Sequence, residues 1–404
     1  MKNSAYRKIS FFLLLTIAPV IMVAACTISK ESALYEIHSF RYPRFEDDLR
    51  YDGLEQSIRL SIAYLQRVPP DKQFAFGKDT YGADHMIRSL EKFLAFIQTN
   101  PSQKALRKFI QTNYRVYRSV GSGWSKKVLY TGYFEPSYEG TMEKSTDYPI
   151  PVLGRPSDLI RIDLSSFSKR YAGESITGRI SGHTVVPYYD RRQIEEGGVL
   201  DGNAPVLAWL KDPVDLFFLQ IQGSGRIYLD NGAMLNVHYD GSNGRPYRSI
   251  GKLLIEEGKI PKSEMSMQRI RSYIENHPDE TAKILFYNPS YVFFKLEEEG
   301  PLGFLEVKLT PGRSLALDRR LFPLPALAFI ETQKPLVDGS GQITEWVEFS
   351  RFVLSQDTGG AIRGPARADV FWGNGTYAEI AAGHMQHKGK LFLLVLKPNK
   401  DTLR

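Results

Sequence analysis

Apolar residues early in the chain recur at helical spacing. Leu54, Ile58, Ile62 and Leu65 form one face, and Pro69-Pro70 stops it. Asp84 is placed to cap a second helix, whose Ile87, Leu90, Leu94 and Ile97 make an apolar stripe ending before Pro101. Ser102 is placed to cap a third, with Leu106, Phe109 and Ile110 on one side. These faces read as core, so the region before Gly121 is expected to be mostly helical. From Val128 the period changes. Short apolar runs (VLYTGYF, PIPVLG, HTVVPYY, LFFLQIQGSGRIYL, NVHYDG) alternate with Gly, Pro and Asp, as in a sheet or barrel of short strands. Helical spacing returns over 247–257, through Ile250, Leu253 and Leu254. It continues over 263–276, through Met267, Ile270 and Ile274, with Ser263 as a simple cap. After Asn288-Pro289 the strands resume as YVFFKLE, FLEVKLT, SLALD, LAFIET, WVEFSRFVLSQD, the segment around Asp369 and LFLLVLKP. The last is apolar enough for a central strand.

The 404 residues exceed what one core usually serves, which predicts two domains. The opening helices have no sheet of their own. They are expected to pack on the barrel built by the final region, leaving the middle as an insertion, with a boundary between Asn288 and Gly303. An aromatic content of 12% argues against disorder.

The N-terminus predicts the compartment. Lys2, Arg7 and Lys8 precede an apolar run from Phe11 to Ala25, long enough for a signal segment and short for a membrane span. Val23-Ala24-Ala25-Cys26 resembles a bacterial lipobox, which makes 1–25 a leader and Cys26 the lipidated first residue of the mature chain. Cys26 is the only cysteine, so no intrachain disulfide forms and the exported protein relies on its own core. Thr27, where an aspartate would mark retention at the inner membrane, points to an anchor in the outer membrane on its periplasmic face. Losing the leader removes three positive charges, and the net charge falls from +7 to +4. Lys and Arg are scattered among nearly as many acids, which disfavours nucleic acid as a partner.

Several chemistries lack their residues. The seven histidines are dispersed, and His384 with His387, the one close pair, has no zinc-protease pattern, so no metal is expected. There is no Gly-x-Ser-x-Gly elbow. Gly223-Ser224-Gly225 lacks the spacing and the Lys-Ser/Thr of a phosphate loop. The loop from Asp240 has Gly251 where a calcium loop needs glutamate.

What remains is carboxylate chemistry. The stretch SQDTGGAIRGPARADVFWG, 355–373, holds Asp357 and Asp369 around a Gly-rich turn and two arginines. Cleaving a glycosidic bond needs well-placed carboxyl groups and no cofactor. Asp369 lies between Ala368 and Val370 in an apolar strand, where desolvation raises a carboxyl pKa and keeps a proton available. The bland alternative is a strand-end acid paired with Arg367. Asp357 precedes Thr358-Gly359-Gly360 and reads equally as a turn aspartate. Asp318, in SLALDRR, reads equally as an ion pair with Arg319 or Arg320. Phe371 or Trp372 offers a sugar-stacking face or core packing. Upstream, Tyr133 and Glu135 in TGYFEP, and Gln222, Gly223, Ser224, Gly225 and Arg226 in QIQGSGR, offer polar contacts to a sugar; the second run is equally a tight hairpin.

Together these segments resemble a known family. The final region is similar to the three-aspartate domain, with aspartates matching Asp318, Asp357 and Asp369. TGYFEP (131–136), QIQGSGR (220–226), GRPYRSIGKLLIEEG (244–258), NPSYVFF (288–294) and QDTGGAIRGPARADVFWG (356–373) extend the resemblance to the membrane-bound lytic murein transglycosylase A family. The resemblance implies a mainly β fold with N-terminal helices. A double-psi β-barrel catalytic domain (288–404), with 26–127 packed on it, would flank an inserted β-barrel domain (128–287), with glycan in the groove between. It implies cleavage of the β-1,4 bond between N-acetylmuramic acid and N-acetylglucosamine in peptidoglycan, leaving 1,6-anhydromuramoyl ends. Asp369 matches the catalytic aspartate, Asp357 its buried neighbour and Asp318 the third acid. The partners implied are peptidoglycan strands and the lipid anchor, with cell-wall synthesis or division proteins beside them. Two rivals stay open at this point: an inverting hydrolase using Asp357 and Asp369, and a non-catalytic wall-binding lipoprotein.

Overall fold

The structure, a computed structural model, describes residues 29–398 apart from Ala172; the leader and Cys26 lie outside the described residues. Six strands close a barrel: Val128–Glu135, Ser314–Ala316, Leu327–Val337, Ile343–Asp357, Arg367–Asn374 and His387–Leu396. Closure is made by His387–Leu396, the apolar strand of LFLLVLKP. It pairs along one edge with Leu327–Val337, and along the other first with Val128–Tyr130 and then with Tyr114–Ser119. Strand alternation sends Val128, Tyr130, Leu315, Leu317, Ala368 and Val370 into one core. Burying these side chains at about 25 cal/mol per Å² of apolar surface is the main force closing the barrel.

Helices Leu54–Leu65, Ala83–Ile97 and Gln103–Asn113 lay their predicted faces on the barrel core, and Ser102 caps the third by accepting from the Ala105 amide at 3.3 Å. Asp84 does not cap: Gly82 precedes the helix and Asp84 sits within its first turn. Nor is the region wholly helical. Tyr114–Ser119 joins the sheet and carries Leu34–Glu36 on its edge, with Tyr114, Val116, Tyr117 and Ser119 buried.

The second unit is a six-stranded sheet ordered Val292–Glu297, Met234–Ser242, Ser224–Leu229, Ser137–Thr141, Val206–Leu210, Ile150–Leu153, whose two ends meet at a Gly154–Phe294 bridge. Three departures from expectation have local causes. LFFLQIQGSGRIYL is helix then strand, because Asp212 accepts from the Val214 amide at 2.7 Å, Pro213 opens a helix through Gln222, and Gly223 at φ +80° ends it. FLEVKLT is a compact turn: the Gly303 amide donates to the Val307 carbonyl and Glu306 takes φ +53°, while Leu305, Val307 and Leu309 plug the core beneath. Helix Met267–Asn276 is capped by Ser266, which accepts from the Arg269 amide at 3.1 Å, rather than by Ser263.

The crossings between units also shift. Val128–Glu135 belongs to the closed barrel and Val292–Glu297 to the second sheet, not to the units that boundaries at 128 and 288 assign. In each case the pairing partners decide: Val128–Glu135 runs parallel to Arg367–Asn374, and Val292–Glu297 antiparallel to Met234–Ser242.

Candidate active site

Strand register brings the aspartates together. Thr131 pairs with Asp369, Asp369 with Ala316, and Ala316 with Asp357, so four residues from four neighbouring strands form one row. Their side chains face away from the apolar core, which takes Ala368, Val370 and Trp372 from the alternate positions. Asp357 joins the row through an irregularity: Leu315 opposes Ser355 but Ala316 opposes Asp357, leaving Gln356 as the extra residue. The Gln356 side chain turns inward, accepting from Ser57 at 3.0 Å and Ser314 at 2.6 Å and donating to Ser61 at 3.0 Å. That anchorage fixes which face Asp357 presents. Ala316 between the two acids carries only a methyl group, and two strand spacings hold the aspartate backbones roughly 10 Å apart.

The two carboxyls are held differently. Asp357 Oδ1 accepts from the amides of Phe304 and Thr358, both at 2.8 Å, and Oδ2 accepts from the Tyr133 hydroxyl at 2.9 Å. Asp369 Oδ1 accepts from the Thr131 hydroxyl at 2.7 Å, and Oδ2 takes no hydrogen bond from the described residues. Arg367 donates to the same Thr131 oxygen at 3.1 Å, so it reaches Asp369 through Thr131 rather than by a direct pair. Burial pushes both carboxyls up to about 6, for Asp357 against its amides and Tyr133, for Asp369 against Thr131 and the Arg367 charge. Both acids can therefore exchange a proton near neutral pH.

Asp318 behaves oppositely. It is fully buried, and its carboxylate accepts from Arg320 Nε at 2.9 Å and Nη2 at 2.7 Å and from the amides of Arg320 and Gly364. Burial works against its charge, but these donors outweigh burial and hold it below the ordinary carboxylate range. It ties the loop after Ala316 to the Gly364 loop and stands outside the row.

The other polar residues singled out in the sequence lie where the units join. Glu135, 2% exposed, pairs with Arg226 at 2.9 Å, and Gln222 Oε1 accepts from the Phe134 amide at 3.1 Å. Gly223 ends the helix and Ser224 opens the next strand, so the run is a helix–strand junction rather than a hairpin. A Cβ on Gly225 would lie 2.6 Å from Leu219. Trp372 is buried against Phe349 and Tyr377, the core arrangement of the two read from the sequence. Tyr133 packs against Phe371, with ring centroids 5.2 Å apart and planes tilted by 48°, and reaches the row directly. Two contributors escape a sequence reading. Thr131 had a signal, the period of two that puts Thr131, Tyr133 and Glu135 on one face. The Phe304 amide had none.

Linkage gives a test of these environments. A carboxyl raised to about 6 keeps its proton in the folded chain where the unfolded chain, near 3.9, has lost it, so stability falls as pH rises from about 4 to 6. Desolvation holds His238, which is buried, and the half-buried His85 and His387 below their ordinary value, and they titrate with the opposite sign, so the clean quantity is a difference. Asp369→Asn is expected to match the parent in stability at pH 4 and to exceed it by on the order of 2 kcal/mol at pH 7, read by denaturant unfolding at both pH values. An unchanged difference would mean that the carboxyl is solvated.

Known proteins resemble this chain in sequence and fold. The MltA specific insert domain model matches residues 129–295 and the 3D domain model residues 313–395. Membrane-bound lytic murein transglycosylase A of Escherichia coli K12 is 33% identical over 279 residues, 68% of this chain and 68% of that protein. A membrane-bound lytic murein transglycosylase from Agrobacterium tumefaciens superposes with a TM-score of 0.73 at 29% identity, covering 90% of this chain and 98% of that one. E. coli MltA with bound chitohexaose shares the fold, with a TM-score of 0.69 at 24% identity over 91% of this chain and 96% of that one. With both domain models in order and a relative of this identity spanning two thirds of each chain, the protein belongs to the membrane-bound lytic murein transglycosylase A family.

Proposed function

We propose that this lytic transglycosylase breaks the β-1,4 bond between N-acetylmuramic acid and N-acetylglucosamine without water, with Asp369 as acid and then base. The observation that carries the assignment is the contrast within the row. Asp357 is committed to three donors, whereas Asp369 gives one oxygen to Thr131 and, among the described residues, the other meets no donor. Protonated Asp369 donates to the bridging oxygen as the C1–O bond breaks and N-acetylglucosamine leaves as the alcohol. The muramic C6 hydroxyl then attacks C1 and returns its proton to the Asp369 carboxylate, so the acid is regenerated and an anhydro ring closes. Asp357, fixed two strands away, offers its charge to the oxocarbenium-like sugar. Ala316, with only a methyl group, leaves room between them.

The closed barrel, with parallel pairs between Val128–Glu135 and Arg367–Asn374 and between Ser314–Ala316 and Ile343–Asp357, supports a double-psi β-barrel. The lipobox-like Cys26 supports a lipid anchor in the outer membrane on the periplasmic face. Tyr133 lies in the groove, while Glu135, Gln222 and Arg226 act by holding the two units in register.

The experiment is mass analysis of the soluble fragments released from purified sacculi. Muropeptides one water lighter than their reducing counterparts are expected. Reducing ends would replace this reading by the inverting hydrolase, and sacculus binding without release by the wall-binding module.

A further inference from the structure

Arginine is in excess at the Asp357 end of the row. Asp318 spends its carboxylate on Arg320, and Arg363 approaches it only to 3.9 Å. Arg319 has no acidic partner within 4 Å among the described residues; its guanidinium rests 4.7 Å from the centre of the Phe304 ring. Three guanidiniums thus face one carboxylate, an excess of two positive charges. They are close enough to feel one another: Arg363 is held below its ordinary value by burial and then by repulsion from Arg320 and Arg319. The cluster is also tied to the reacting row. Phe304 gives its amide to Asp357 at 2.8 Å while its ring stays 44% exposed, and Gly364 gives its amide to Asp318 at 2.8 Å. The Arg320–Asp318–Gly364 connection therefore sets Arg319 and Arg363 on two adjoining loops, both side chains exposed. Three planar guanidiniums around one carboxylate that Arg320 already occupies suit a further planar anion, whose two oxygens take paired N–H donors.

We propose that Arg319 and Arg363 form a carboxylate-binding site at the Asp357 end of the groove, reading the acidic arm of the glycan while the Phe304 ring lies along its apolar side. The inference rests on the glycan-cleaving reading above and deepens it, making the preferred substrate an anionic strand rather than a bare polysaccharide. Two sources supply a carboxylate: the lactyl group of N-acetylmuramic acid when no peptide is attached, and the peptide itself when one is. Asp318 is then a positioning residue for this site.

The test is calorimetric binding in an Asp369→Asn background, which prevents turnover. Three ligands are compared: neutral chitohexaose, peptide-free glycan strands with free lactyl groups, and peptide-bearing strands. Arg319→Gln with Arg363→Gln is expected to weaken binding of at least one carboxylate-bearing ligand about tenfold and to leave chitohexaose unchanged. The strand that loses affinity identifies the source, the lactyl group or the peptide. Raising salt should weaken the same ligand in the parent and not in the double variant. Equal losses on all three ligands, or no loss on any, overturn the site. A parent that binds none of the three overturns the glycan reading itself, and this site with it. Both positions are exposed, and a matching melting temperature confirms that the double variant is folded.

Discussion

Asparagine at position 369 is expected to cut release of anhydromuropeptides from sacculi by about 10³-fold or more, in a chain that still binds glycan. A positioned acid or base commonly contributes about 10²–10⁴-fold, and here one carboxyl serves both half-steps, so both are lost together. Asparagine keeps an acceptor for the Thr131 hydroxyl at 2.7 Å, so the row stays assembled while the exchangeable proton disappears. Asp357→Asn should cost less, about 10–10²-fold, since its amide oxygen still accepts from Phe304 and Thr358, while the charge toward the sugar and the acceptor for the Tyr133 hydroxyl are removed. Rates of muropeptide release, with glycan binding measured in parallel, separate the two. Similar losses at both positions would assign the pair a joint role and reopen the two-carboxylate hydrolase. Full activity in Asp369→Asn would remove the residue from the chemistry altogether.

Much of this site is legible along the chain because its acids end or follow apolar strand runs. LSQD marks Asp357 as the end of a strand, RADVFWG sets Asp369 within one, and alternation alone separates Asp369 from the buried Ala368 and Val370. Register is not local information. That Ala316 lies between the two acids depends on a strand of three residues pairing parallel to one neighbour and antiparallel to the other. No pattern of three residues specifies that. The errors share a physical origin. LFFLQIQ has no amphipathic period because both sides of its helix are buried, so its type was set by Asp212, Pro213 and Gly223 at its ends. FLEVKLT alternates like a strand, but Gly303 and Glu306 bend it into a turn that still buries Leu305, Val307 and Leu309. The Glu135–Arg226 ion pair was hidden for another reason: nothing local in the sequence links a polar residue to a partner 91 positions away.

Asp47→Ala is expected to destabilise the chain by about 3–5 kcal/mol and to lower its melting temperature by roughly 5 °C, although residue 47 touches neither catalytic candidate. Asp47 and Arg313 form an ion pair at 2.7 Å with side chains 1% and 0% exposed. The carboxylate also accepts from the amides of Leu49, Tyr51 and Phe352, and the guanidinium donates to the carbonyls of Asp52 and Phe352. Truncating the acid leaves a buried cation and three amides without their acceptor, which costs far more than the pair itself contributes. The consequence reaches the site through one peptide. Arg313 precedes Ser314–Ala316, and its carbonyl accepts from the Leu354 amide at 2.7 Å, three residues before Asp357. Activity at 25 °C should therefore fall along with stability, through loosened spacing of Asp357 and Asp369. The double change Asp47→Ala with Arg313→Met separates the causes, because it removes the stranded charge together with the pair. Recovery of most of the stability would show that the uncompensated cation was the cost. A loss below about 1 kcal/mol for Asp47→Ala alone would mean that water reaches the pair, and that strand pairing by itself holds the row in place.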